Sequence, residues 1–236
     1  MSSFRRAVSV LFSPGKTFGE LSERPTWIVA LVILLVLGGL VSTLVVQKLD
    51  TGAQRDLIRQ QLEDGGMRGD ELERQVDQAA SVMERMRPFF PVIGLVFMVL
   101  AYLVIALVLW GSSRLAGGEG PFVRAYSTTL HGLMPQAVSA LVSLPLLLTT
   151  ESIDPEVAQR GSLLASSPAF FAPEDASPAL LALLSSFDLF TIWSLVLLVI
   201  GFGVTAKISR NAATTAVLVP WALWIAIKVG WAALLG

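Results

Sequence analysis

The chain has 236 residues, 54% of them hydrophobic and 15% charged, with a mean hydropathy of +0.69 and a formal net charge of −1. A soluble domain carries about 25% charged residues, so the polar surface that would cover a water-soluble core is missing and an all-α integral membrane protein is expected. The absence of cysteine excludes disulfides, thiolate zinc sites and cysteine nucleophiles, and a single histidine, His131, excludes a multi-histidine metal centre within one chain, so no cofactor is expected.

Residues 1–26 read as amphipathic helices outside the bilayer. Phe4, Ala7, Val8, Leu11 and Phe12 share one helical face, with Arg5 and Arg6 off it. That spacing with flanking cations describes a helix lying in the interface among anionic headgroups, or one packed on the end of the bundle. Ser13-Pro14 reads as an N-cap with proline in the first turn of a second helix, and Thr17-x-x-Glu20 has the spacing of a capping box.

About 20 apolar residues in a helix cross a bilayer core of about 30 Å. Five segments qualify as spans, at about 27–46, 89–110, 125–149, 188–206 and 214–235. The first is too long for the apolar region of a cleaved signal peptide, and no small-residue cleavage site follows it, so it reads as a retained span. The third is the least apolar. It holds Ser127, Thr128, Thr129, His131, Gln136, Ser139 and Ser143, and Gly132, Pro135 and Pro145 interrupt it. Breaks of this kind are tolerated where neighbouring helices cover the freed backbone.

Between the first two spans, 47–88 forms an insertion. Leu72, Val76, Ala79, Ala80, Met83 and Met86 keep helical spacing, and Gly65, Gly66 and Gly69 mark a turn, which predicts a helical hairpin. Its apolar stripe packs on its hairpin mate or the membrane surface, or receives another protein. Residues 150–187 form an acidic loop with Glu151, Asp154, Glu156, Glu174 and Asp175 against Arg160. Their spacing fits no calcium loop. Ser177-Pro178 begins a short apolar helix.

Five spans divide the remaining segments between two sides. Residues 1–26, 111–124 and 207–213 hold eight Lys/Arg against three acids, a net +5. Residues 47–88 and 150–188 hold eight against fifteen, a net −7, and Lys228 supplies the last charge. The basic set lies in short loops beside span ends, so the N-terminus is expected to be cytoplasmic and the C-terminus extracytoplasmic, in a multi-pass cell-membrane protein.

Few residues suggest chemistry. Gly117-Gly118-Glu119-Gly120 lacks the preceding strand of a phosphate-cradling loop and reads as a tight turn. His131, four residues after Ser127, could form a Ser–His pair or act as a hydrogen-bonded structural histidine. Lys228 is the one charge inside a span, and such residues are functional candidates. It is expected to snorkel to the outer surface or to pair with Asp188, with Trp224 and Trp231 offering cation–π contact. His131, Pro135, Gln136 and Ser139 mark the third span as a close-packing helix or as one lining a cavity.

Three motifs in order carry a family resemblance. Leu11-Phe12-Ser13-Pro14-Gly15-Lys16-Thr17-Phe18, followed by Glu23-Arg24-Pro25, resembles the N-terminal signature of the bacterial branch of the Yip family, named for interaction with Ypt/Rab GTPases. Leu115-Ala116-Gly117-Gly118-Glu119-Gly120-Pro121-Phe122 is similar to its glycine-rich turn, and Phe187-Asp188-Leu189-Phe190-Thr191-Ile192-Trp193 with Gly201 to its fourth span. The resemblance implies five spans with the N-terminus cytoplasmic, and for eukaryotic members a link to vesicle trafficking. Their Asp-Leu-Tyr-Gly-Pro-type motif is absent here, so GTPase binding does not carry over.

The resulting expectation is a non-enzymatic membrane scaffold or adaptor. Anionic lipids, a membrane or periplasmic protein, or a second copy of the chain are its partners, and nucleic acid is not. The competing expectation is a transporter or channel component with a solute path along the third span.

Overall fold

The computed structural model describes residues 2–153, 164–173 and 175–235. The acidic residues Asp154, Glu156 and Glu174, with Arg160, lie outside them. Among the described residues the regular structure is helical, apart from a single bridge between Leu49 and Ile153. Two short helices, α1 (Ser3–Ser9) and α2 (Pro14–Glu23), precede α3 (Ile28–Lys48). A hairpin of α4 (Thr51–Asp64) and α5 (Gly69–Met86) leads into α6 (Phe90–Leu115). Then come α7 (Phe122–Gly132), α8 (Met134–Thr149), the short α9 (Pro178–Leu184), α10 (Leu189–Thr205) and α11 (Arg210–Leu235).

Four stretches are long and apolar enough to cross a membrane: α3, the α5–α6 run, α7 with α8, and α11. A fifth span results if α9 and α10, bent by 51° at their junction, are taken together. The chain is a multi-pass membrane protein, and the expected spans match these helices within a few residues at most ends. The second differs most. From Gly69 to Leu115 the chain forms one helical run of 47 residues, joined through a 3₁₀ turn at Arg87–Phe89, about 70 Å long at 1.5 Å per residue. Proline at 88 and 91 does not stop it, because both lie at first-turn positions where no backbone donor is needed.

The third span is broken as its glycine and prolines predict. Leu133 separates α7 from α8, and Pro135 sits in the first turn of α8. At the break α7 lies against α10 so closely that a Cβ on Gly132 would come within 2.5 Å of Leu198 Cδ2. In the core, α3 packs on α6 and α8, α7 on α6 and α10, and α11 on α6 and α10.

Basic side chains close the helix ends on the hairpin side. Arg87 donates to the Val46 and Gln47 carbonyls at 3.0 and 2.7 Å, and Lys48 donates to the Leu148 and Thr150 carbonyls. Cations thus satisfy the last carbonyls of α3 and α8, where the helix dipole also favours positive charge. On the opposite end the glycine-rich turn joins α6 to α7. Gly117 and Gly120 adopt positive φ, and the Glu119 amide donates to the Ala206 carbonyl at 2.9 Å, tying the turn to the α10–α11 connection.

Candidate lipid and partner contact surfaces

The N-terminal helices are built into the bundle. In α2, Thr17, Phe18 and Leu21 are buried against α7 and α10. Phe18 fills a slot opened by Gly201, where a Cβ would meet the Phe18 ring at 2.8 Å and Thr128 Cγ2 at 2.8 Å. Pro14 opens α2 as expected, but the capping box does not form. Thr17 lies in the second turn, with its hydroxyl donating to the Ser13 carbonyl at 3.0 Å, and Glu20 turns to Arg6.

Arg6 is the larger correction. Its expected place was off the buried face, yet it is only 8% exposed. Its Nε donates to Glu20 at 3.2 Å, and its Nη1 donates to the Arg24 carbonyl at 3.2 Å and to Thr26 Oγ1 at 3.4 Å. The guanidinium fork thereby joins α1, α2 and the turn before α3, in the multi-bond geometry that arginine supplies and lysine does not. Burial pushes the Glu20 carboxyl up. Hydrogen bonding and nearby positive charge, including that of Arg6, outweigh this and hold it below the usual carboxylate range.

With Ala7 and Val10 sealed inward, α1 and the turn that follows it leave other apolar side chains outward: Phe4 is 63% and Phe12 78% exposed, with Val8 between them and Arg5 exposed beside them. Leu11, expected on the same face, is half-buried against the core. Lys16, Arg24, Arg114, Lys207 and Arg210 are exposed at the same end of the bundle.

Among the third-span candidates, His131 is buried and its Nδ1 lies 2.8 Å from the Ser127 carbonyl oxygen. The Ser127 hydroxyl donates elsewhere, to the Thr26 carbonyl at 2.9 Å, so the Ser–His pair does not form. Thr128 donates to Thr205 at 2.9 Å, which donates onward to the Gly201 carbonyl at 2.8 Å, joining α7 to α10. Pro135 is buried at the start of α8, and Gln136 approaches Ser194 of α10 at 3.5 Å. Gln136 and Ser139 line a cleft between α3, α6 and α8.

Lys228 and Asp188 do not pair among the described residues. Lys228 donates to Ser185 and Ser186 at 2.9 and 3.3 Å, at the bend between α9 and α10. Asp188 caps α10, accepting from the Phe190 and Thr191 amides at 2.8 and 3.3 Å and from the Thr191 hydroxyl. Capping satisfies amides that would otherwise be orphaned at the helix start, so the carboxylate is already occupied. Trp224 and Trp231 remain exposed.

In the hairpin, Leu72 and Val76 are buried, and Arg55–Asp77 and Arg59–Glu73 bridges join α4 to α5. Met83 and Met86 of the same stripe, and Val82 beside it, stay exposed nearer its base. Among the described residues no three His, Asp or Glu side chains converge as a metal site would.

The model of the Yip1 domain matches residues 8–232, nearly the whole chain. No curated protein and no solved structure matches it.

Proposed function

We propose, from the premise that the chain belongs to the Yip1 domain family, that it is a non-enzymatic scaffold organising lipids or protein partners in the membrane. The observation that carries this reading is α1 with the turn that follows it. One side of this segment is locked into the bundle while Phe4, Val8 and Phe12 project from the end richest in exposed cations. Apolar side chains beside positive charge are the composition of a surface that enters the headgroup region of an anionic leaflet. That leaflet is the cytoplasmic one in our reading, with the N-terminus inside and the α4–α5 hairpin outside a bacterial cytoplasmic membrane. The hairpin's exposed Val82, Met83 and Met86 supply a second surface, for a membrane or extracytoplasmic protein or another copy of the chain.

Two measurements test the scaffold reading. Crosslinking in native membranes from positions on α1 and α5 is expected to trap lipid at the first and protein at the second. Solute flux into proteoliposomes is expected to be the same with and without substitutions at His131, Gln136 and Lys228. Flux that depends on those residues would establish transport instead.

A further inference from the structure

The cleft between α3, α6 and α8 lies near the middle of α3, of α6 and of the α7–α8 span, at the depth of the hydrocarbon core, and has a volume of about 230 Å³. Leu34, Gly38 and Val41 of α3 line it. Tyr102 of α6 stands on one side, and Gln136, Ser139 and Ser143 of α8 on the other. Gly38 also lets α3 approach α6 closely beside the cleft: a Cβ there would come within 2.4 Å of Met98 Cε.

The polar groups of this cleft are incompletely used. Ser143 donates to the Ser139 carbonyl at 2.9 Å, and Gln136 reaches Ser194 only at 3.5 Å. Among the described residues, the Tyr102 phenol and the Ser139 hydroxyl make no hydrogen bond. Each unsatisfied polar group in hydrocarbon costs several kcal/mol, and neither bulk water nor lipid headgroups reach this depth. Two such groups on one recess at mid-bilayer therefore call for a hydrogen-bonding ligand. Among the described residues no charged side chain lines the cleft, so the ligand is uncharged. Its volume suits a head of one ring or one glycerol, and its lipid-facing opening leaves an apolar tail in the bilayer.

We propose that this cleft binds an uncharged, lipid-dissolved carbonyl compound, its head accepting hydrogen bonds from Tyr102 and Ser139 and its tail lying along α3. A tailed quinone and a diacylglycerol share this chemistry. The site lies apart from α1 and the hairpin, so its failure leaves the scaffold reading standing and the reverse also holds.

The test uses the full chain in nanodiscs, with decyl-benzoquinone and dioctanoylglycerol as separate probes, read by native mass spectrometry and by the shift in unfolding temperature. At least one probe is expected to bind saturably, one per chain, and the identity of that probe distinguishes the two sources. Tyr102→Phe and Ser139→Ala remove a hydroxyl without adding bulk, and each is expected to weaken binding about fivefold, the loss of one hydrogen bond. Ser139→Thr keeps the hydroxyl and is expected to bind as the unaltered chain does. The proposal is overturned if neither probe binds saturably or if Tyr102→Phe and Ser139→Ala bind undiminished. Loss in Ser139→Thr as large as in Ser139→Ala, or crosslinks placing a helix of a second copy in the cleft, would overturn it equally.

Discussion

Gly201→Ala tests how tightly the N-terminal helices are held. The added methyl would sit 2.8 and 2.9 Å from Phe18 ring atoms and 2.8 Å from Thr128 Cγ2, closer than van der Waals contact on two sides. The Phe18 ring is fully buried and Thr128 is fixed through Thr205, so neither neighbour retreats freely. Overpacking of this kind costs about 1–3 kcal/mol. Phe18→Ala, which empties the slot, costs about 3–5 kcal/mol. The two changes touch the same atoms and are expected to couple: in the Phe18→Ala background only the Thr128 contact remains, and the penalty of Gly201→Ala falls by about 1 kcal/mol. Reversible unfolding in mixed micelles gives the four stabilities of the cycle, and proteolysis at Arg24 reports whether α1 and α2 detach first. Strict additivity, or a Gly201→Ala variant as stable and as protected as the parent, would refute the packing of α2 against α10.

Glu20, held below its ordinary pKa, contributes stability that is present above about pH 4 and is lost as pH falls through its folded value. Proteolysis of the N-terminal segment at graded pH is expected to accelerate on acidification, and Glu20→Gln to abolish that dependence; an unchanged pH profile in the variant would count against the Arg6–Glu20 contact. Lys228→Met removes a cation held by two serine hydroxyls and by no carboxylate among the described residues, so thermal unfolding is expected to show little loss, whereas Asp188→Ala, which uncaps α10, costs about 0.5–2 kcal/mol. Equal losses with strong coupling in the double variant would restore an ion pair between them. Trp110→Phe deletes the 3.3 Å bond from the indole to the Gly120 carbonyl and is expected to cost about 1 kcal/mol in the same assay.

The spans were legible because membrane burial leaves a coarse trace, uncharged apolar runs of fixed length, and because Gly132 and Pro135 mark the break in the third. Asp188 before an apolar run also carried a legible signal, that of an N-cap, which outranks a distant lysine as its partner. Arg6 left no such trace. Its partners are Glu20, a carbonyl at Arg24 and the Thr26 hydroxyl, 14 to 20 residues away, and helical periodicity assigns a face without saying which face meets the protein. The same gap hid the insertion of α2, whose Phe18 slot depends on the absence of a side chain at Gly201, a residue in another span. The cleft beside Gln136 and Ser139 was half visible: the polar residues of α8 stood out, while Tyr102 and Gly38 needed the packing of three helices to join them.

The proposed scaffold requires α1 and the turn that follows it to present an apolar face to an anionic leaflet. The chain has no cysteine, so single nitroxide labels at Phe4→Cys, Val8→Cys, Phe12→Cys and, as a solvent-facing control, Lys16→Cys can be placed without background. In nanodiscs with anionic lipid, labels at 4, 8 and 12 are expected to collide with dissolved oxygen and be shielded from a water-soluble nickel chelate, with the opposite pattern at 16. Labels at 4, 8 and 12 as open to the chelate as the label at 16 would contradict the claim.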